Sequence, residues 1–270
     1  MKRIVFWMVL LTVLFIFVFP IFWIYLASFK GQDDLYTLEF LKAFIFRPTS
    51  ENFIFLFNEK PFFVEITNSL ILSVLSTVLV VLVSLPAAYS FSRFNPGDGH
   101  LLFVTISTRM FPPAVAAIPF FIVFRDLGIL DKHIGLILLY LYFNMSFAVF
   151  LLFGFFREIP QELEYAAMVD GYGRLEILRK VIFPLIKPGL AITTIFCFVF
   201  AWNEFLFALL FTRVYARTLS VGISAFWGSS EILWGPMSAC AALAILPNLI
   251  ICWFMQRYII RGLTFGAVKG

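Results

Sequence analysis

Charge is scarce in this sequence: Asp, Glu, Lys and Arg together supply 13% of its 270 residues, about half the share of an ordinary water-soluble domain. Histidine occurs only as His100 and His133, and neither stands in an H-E-x-x-H spacing. Cys197, Cys240 and Cys252 all fall in apolar stretches without a C-x-x-C pair, so they read as packing residues, with no disulfide and no metal expected. A G-x-x-x-x-G-K-[ST] phosphate loop is missing, since "GAVKG" at 266–270 has neither the spacing nor the hydroxyl. The chain therefore has no evident means of binding and hydrolysing nucleotide itself. No G-x-S-x-G elbow occurs, and no carboxylate pair shares a depth with an obvious base, which argues against a membrane enzyme. Nothing resembles a selectivity filter, which argues against a passive channel.

What fills the sequence is hydrocarbon. Hydrophobic residues make up 62% of it and aromatic residues 19%, with 37 phenylalanines, so the solvent is lipid and the phenylalanines read as lipid-facing and packing bulk. The net charge of +4 reads as loop cations that set orientation rather than as a nucleic-acid surface.

A hydrocarbon core needs about 20 helical residues to cross. Six apolar spans are long enough, near 4–28, 67–91, 101–124, 134–156, 188–212 and 237–260. The expectation is an all-α, six-span polytopic membrane protein forming one domain over 1–270. The first span follows Lys2 and Arg3 but closes on no A-x-A site, so it reads as a retained helix. Placing the N-terminus inside assigns eleven loop cations to the cytoplasmic segments and eight to the outer ones. The positive-inside rule then predicts two cytoplasmic termini. The outer segment from Lys30 to Glu65 is mixed in character and is expected to pack on the outside face.

That topology makes 157–187 the longest cytoplasmic loop, and it holds "EYAAMVDGYGRLEILRKVIFPLIKPG" at 164–189. The pattern predicts two short helices and a hinge. Pro160 suits a helix start, and Leu163, Ala166 and Ala167 recur on one face. Gly171 stops the helix in the left-handed conformation that a β-carbon penalises. A second helix from Arg174 carries Leu175, Leu178 and Ile182 on one face until Pro184 and Pro188 lead into span five. On these grounds alone the pair is either a docking element for another protein or an amphipathic hairpin resting on headgroups.

The stretch resembles the cytoplasmic EAA loop of the integral permease subunits of ATP-binding-cassette importers, whose pattern is E-A-A, three residues, Gly, nine residues, I-x-L-P. Ala166, Ala167, Asp170 and Gly171 keep the first half, and Val181-Ile182-Phe183-Pro184 stands where the second half is expected. The motif's Glu falls on Tyr165, with Glu164 adjacent but about 100° away around a helix. "TRMFPP" at 108–113, "IPFF" at 118–121, "AWNEFLFALLF" at 201–211 and "QRYIIRGLTFGAVKG" at 256–270 are similar to the carbohydrate-uptake branch of these permeases.

The resemblance implies a type I importer that moves sugar inward by alternating access. Its parts are two six-helix permeases, a solute-binding protein outside and two cytoplasmic ATPases that carry the ATP and Mg²⁺, so that this chain needs no cofactor and is not itself catalytic. Glu164, Tyr165, Ala166, Ala167, Asp170, Gly171 and Pro184 then form the ATPase-coupling set.

Two charges fall well inside spans, where neither can face lipid: Arg109 in the third and Glu204 in the fifth. Each reads as a solute contact or a helix anchor. Rise per residue puts them about 12 Å apart in depth, so a direct pair requires a tilt or break, which Pro112-Pro113 is placed to supply. Trp202 and Asn203 complete a polar-aromatic cluster suited to a sugar, and equally suited to interfacial anchoring. The tail, with Gly266, Lys269 and Gly270, is long enough when extended, roughly 33 Å over ten residues, to enter a cleft between two ATPases.

Overall fold

The computed structural model describes residues 2–36, 43–227 and 232–265, the side chains of Met255 and of 257–265 excepted. In chain order the α-helices are α1 Lys2–Ser28, α2 Gln32–Leu35, α3 Glu51–Glu59, α4 Phe62–Phe94, α5 His100–Ser107, α6 Pro113–Asp126, α7 His133–Glu158, α8 Glu162–Val169, α9 Arg174–Ile177, α10 Phe183–Trp202, α11 Leu206–Phe211, α12 Leu219–Ser224 and α13 Trp234–Phe265. Among the described residues, five helical runs are long and apolar enough to cross a bilayer: α1, α4, α7, Arg174–Trp202 and Trp234–Phe254. A sixth crossing results if the bent pair Pro96–Met110 and Pro113–Asp126 is one span.

The chain divides into two compact units. One comprises Met1–Thr67 with Thr218–Leu249. In it α1 is apolar all round, with Ala27 and Ser28 as its buried residues, as suits a helix surrounded by lipid or another protein. Where α1 ends, the Asn52 amide of α3 donates to the carbonyls of Ser28 (3.0 Å) and Lys30 (2.8 Å). Lys30 itself is buried, its ammonium 4.8 Å from the Trp23 ring centroid and 5.2 Å from that of Phe46, a cation held by aromatic faces.

The second unit comprises Asn68–Arg217 with Ile250–Gly270, and α7 is its centre. Leu136, Leu139, Tyr140, Ala148, Val149, Leu152 and Phe156 line the buried side of α7, and α10 packs along it. The approach is tight at Gly189, where an added β-carbon would run into the Phe155 ring. Any larger residue must push the helices apart.

Two expected spans differ from their simple form. Span three is broken by 94°. Phe111 and Pro112, each followed by proline, take extended conformations (φ −70°, ψ 130° and φ −58°, ψ 127°), because proline crowds the α region of the residue before it. Pro113 then opens α6, where its missing N–H costs nothing. Span five is not the single helix 188–212. Pro184 and Pro188 do not separate it from the preceding loop: Leu178–Ile182 forms a π turn between α9 and α10, and the helix runs unbroken from Arg174 to Trp202. Phe183 N–H reaches back to the Leu178 carbonyl, which widens the coil just where the Pro184 ring would otherwise crowd it. The helix stops after Trp202, and a short break leads into α11.

The α6–α7 connection carries a feature for which the sequence held no motif. Asp131 is left-handed, with φ 54°, and its N–H donates to the Phe211 carbonyl at 2.8 Å. Its carboxylate accepts the backbone N–H groups of Arg213 (2.9 Å), Val214 (3.1 Å), Tyr215 (3.2 Å) and Ala216 (3.1 Å). Burial raises the Asp131 carboxyl, but those four amides outweigh it and hold the group below its usual range. Beside it, Asn68 donates to the carbonyls of Tyr215 and Arg217, both at 2.9 Å, and its oxygen meets His133 Nε2 at 2.8 Å. The 211–217 turn is thus tied to Asn68 of α4 and, through Asp131 and His133, to the start of α7.

Candidate functional site

The expected hinge is present and has a specific form. After α8, Gly171 takes φ +85°. Its N–H donates to Met168 O, and the Tyr172 N–H donates to Ala167 O, both at 3.0 Å, the paired bonds of a Schellman stop. Nothing lies within 4 Å of a β-carbon built on Gly171, so the glycine answers to backbone conformation and not to crowding. Gly173 N–H then donates to Glu176 Oε2 at 3.2 Å and starts α9.

The face that α8 buries is not the expected one. Leu163 and Ala166 are exposed, whereas Glu164 and Ala167 are buried, at 5% and 6% exposure. Glu164 accepts the Tyr89 hydroxyl at 2.7 Å and Arg93 Nε at 2.5 Å, and Arg93 also donates to the Ile159 carbonyl at 2.9 Å. Both charged side chains are 6% exposed. The acidic side chain beside the EAA position is therefore bound within its own chain, to the end of α4, and is not free for a partner. Sequence reasoning missed Tyr89 and Arg93 because they lie more than seventy residues upstream, with no local spacing to signal the pairing.

The second helix departs from the pattern in the same way. Leu175 is exposed, while Ile177 and Ile182, five residues apart, are both fully buried. The π turn between them accounts for this, since its i to i+5 bonding puts residues five apart on one face. Ala167, Ile177 and Ile182 share a cluster with Ala88 and Tyr89 of α4, Val149, Leu152 and Phe156 of α7, and Ile186 of α10. The α8–α9 pair is thus fixed to three spans by one apolar cluster and one buried ion pair. Outward it presents Tyr165, Met168, Val169, Tyr172 and Leu175, with Ala166, Asp170 and Gly171 exposed among them. Pro184 is exposed at the first turn of α10.

The intramembrane residues meet, but not as an ion pair. The bend at Pro112 and the break after Trp202 bring Arg109 and Glu204 to one cavity of about 270 Å³, shared with Tyr140, Asn144 and Phe200. Arg109 Nη1 donates to the Phe143 carbonyl (2.9 Å) and, at 3.4 Å, to Asn144 Oδ1. Its guanidinium lies 4.8 Å from the Phe200 ring centroid and 5.5 Å from that of Phe147. Glu204 caps α11, its two oxygens accepting Phe207 N–H (2.8 Å) and Ala208 N–H (3.0 Å), and it also accepts the Tyr140 hydroxyl at 3.1 Å. Each charge is answered by other groups, so no direct pair is needed to hold it.

Trp202 does not offer its indole to a solute: it is buried, with its ring stacked on Phe198 at 5.9 Å and 14°. Asn203 is exposed and donates to the Val199 carbonyl at 2.7 Å. Gly266, Lys269 and Gly270 lie outside the described residues.

Compared with known proteins, residues 80–264 match the family described as the binding-protein-dependent transport system inner membrane component. The trehalose transport system permease protein SugB of Mycobacterium tuberculosis is 35% identical, over 100% of this chain and 99% of that protein. The sulfoquinovosyl glycerol transport system permease protein SmoH of Agrobacterium fabrum is 36% identical, over 93% of this chain and 89% of its own length. Among solved structures, a chain of a bacterial ABC transporter involved in the import of the acidic polysaccharide alginate matches with a TM-score of 0.79 and 25% identity, covering 95% of this chain and 96% of that one.

Proposed function

The chain belongs to the family of binding-protein-dependent transport system inner membrane components, and on that premise we propose that it forms half of the membrane pathway of a sugar importer. The substrates named for its relatives, trehalose, sulfoquinovosyl glycerol and alginate, point to a carbohydrate solute. The assembly holds a sister permease, two cytoplasmic ATPases that bind ATP and Mg²⁺, and an outer solute-binding protein. This chain is noncatalytic, lies in the inner membrane and has both termini in the cytoplasm.

One observation carries the coupling role. The α8–α9 pair is exposed on its outer side, with apolar side chains that water does not favour, and its inner side is fixed to α4, α7 and α10 by the cluster around Ile177 and Ile182. An element of that kind passes force. A nucleotide-driven movement of an ATPase gripping Tyr165, Met168 and Val169 reaches three spans at once, and alternating access follows from their tilt. Tyr165, standing where the motif has Glu, gives this contact an aromatic in place of an acidic character.

The hinge tests the reading. Valine at Gly171 must hold a left-handed conformation at a cost of roughly 1–2 kcal/mol, and the open space around the position rules out a packing explanation. Gly171→Val is expected to insert at near-normal levels while the ATPases co-purify poorly or hydrolyse without moving sugar, with Gly171→Ala affected less. Co-purification and uptake, both normalised to membrane abundance, are the measurements. Normal values for the valine variant would leave the pair as a surface hairpin on the headgroups.

A further inference from the structure

The cavity at the bend of span three holds more donors than its own residues use. Glu204 is satisfied by two backbone amides and the Tyr140 hydroxyl. Arg109 meets acceptors among the described residues through Nη1 alone, and the side chain is exposed. Its Nε–H and Nη2 hydrogens remain available, in the fixed fork that matches a carboxylate or two adjacent hydroxyls. The guanidinium lies over the rings of Phe147 and Phe200, and Phe200, Phe143 and Phe207 line the cavity as an aromatic wall. A volume of about 270 Å³ is below the roughly 300–1,000 Å³ of pockets for drug-sized ligands. It has room for one sugar ring and not for a chain of them.

On the transport reading given above, we propose that this cavity is a monosaccharide-sized station on the solute path, and that Arg109 makes it favour a ring bearing an acidic group. Pyranose rings have apolar C–H faces that lie on aromatic walls and equatorial oxygens that point outward. The wall here takes the face, and the Arg109 fork takes the oxygens. Glu204 keeps its charge, but its oxygens are taken by α11 and Tyr140 and make no ion pair with Arg109 among the described residues, so the unused edge of the guanidinium is open to an anionic substituent at closer range. A charge-assisted hydrogen bond is worth about twice a neutral one, which sets the size of the preference.

The test uses the complete transporter in nanodiscs, carrying Cys252→Ser and Leu206→Cys. Cys197 and Cys240 are buried and Leu206 lines the cavity, so the new thiol reports on it. Labelling by a small methanethiosulfonate is timed in the presence of methyl α-D-glucopyranoside, D-glucuronate or the acyclic polyol mannitol. Both rings are expected to slow labelling and mannitol to leave it unchanged. Glucuronate should act at roughly tenfold lower concentration, equivalent to about 1.4 kcal/mol. Arg109→Gln should abolish the advantage of glucuronate while methyl glucoside still protects, and Arg109→Lys, which keeps the charge if the glutamine variant fails to assemble, should retain part of it. A thiol that labels freely with neither ring protecting it, or one wholly covered by another subunit in the complete transporter, would overturn the proposal and leave Arg109 as an anchor. Uptake of sugar from the binding protein is measured on the same preparation. Normal uptake without ring protection sinks this inference alone, whereas a parent transporter without uptake sinks the transport reading.

Discussion

Removing Glu164 should unfasten α8 from the membrane helices, and the buried groups around it set the size of the effect. In Glu164→Ala the Arg93 guanidinium, 6% exposed, keeps only the Ile159 carbonyl, and the Tyr89 hydroxyl loses its acceptor. Breaking a buried ion pair on one side costs about 3–5 kcal/mol. If that cost falls on local opening of α8–α9, trypsin cleavage at the exposed Arg174 and Arg179 should accelerate by roughly two to three and a half powers of ten, because cleavage follows the open population when closing is fast. The companion variant Arg93→Met with Glu164→Ala leaves no stranded charge, and should recover most of the loss, since apolar replacement of a buried pair is often near neutral. Tyr89→Phe should cost only about 1 kcal/mol. The assay is the rate of tryptic nicking of the purified transporter in lipid, alongside sugar moved per ATP hydrolysed. A single variant that nicks within threefold of the parent, or a double variant that nicks as fast as the single, would refute the clamp.

The depressed Asp131 carboxyl contributes stability that is fully present above its unfolded value near 3.9 and is lost as pH falls through its lower folded value. A thermal-midpoint profile should therefore hold its Asp131 contribution through mild acid and drop only below about pH 4, and Asp131→Asn, which tolerates the left-handed backbone, should flatten that drop; a parent profile falling already at pH 6 would contradict it. Gly189→Ala should destabilise the α7–α10 contact by roughly 1–3 kcal/mol, as overpacking does, because its β-carbon would run into the Phe155 ring. Phe155→Ala in the same chain should restore the midpoint, and a failure to do so would place the strain elsewhere.

Composition and apolar run length were enough to read an all-helical membrane chain, because a bilayer leaves the backbone few other choices. Gly171 was legible for a local reason: a helix stop is coded within a few residues. The buried face of α8 was not. Periodicity ranks Leu163 above Glu164 for burial, and only the distant Arg93 and Tyr89 make a carboxylate the better inward residue. The run from Arg174 to Trp202 was hidden by its prolines, whose usual reading as breakers fails where a π turn absorbs the crowding. Arg109 and Glu204 looked separated because rise per residue assumes straight helices, and both of theirs are interrupted.

The π turn at Leu178–Ile182 also means that the angular setting of α9 against span five is written as a residue count. Each residue of an α-helix turns the chain by about 100°, so deleting one between Ile177 and Pro184 would swing Ile177 out of the apolar cluster and carry the whole outer ridge round with it. Contacts elsewhere in the loop could all survive such a change and the ridge would still face the wrong way. Length in this segment acts like the phase of a gear, and an insertion or deletion there is felt as a rotation of the ridge together with the loss of Ile177 from the cluster.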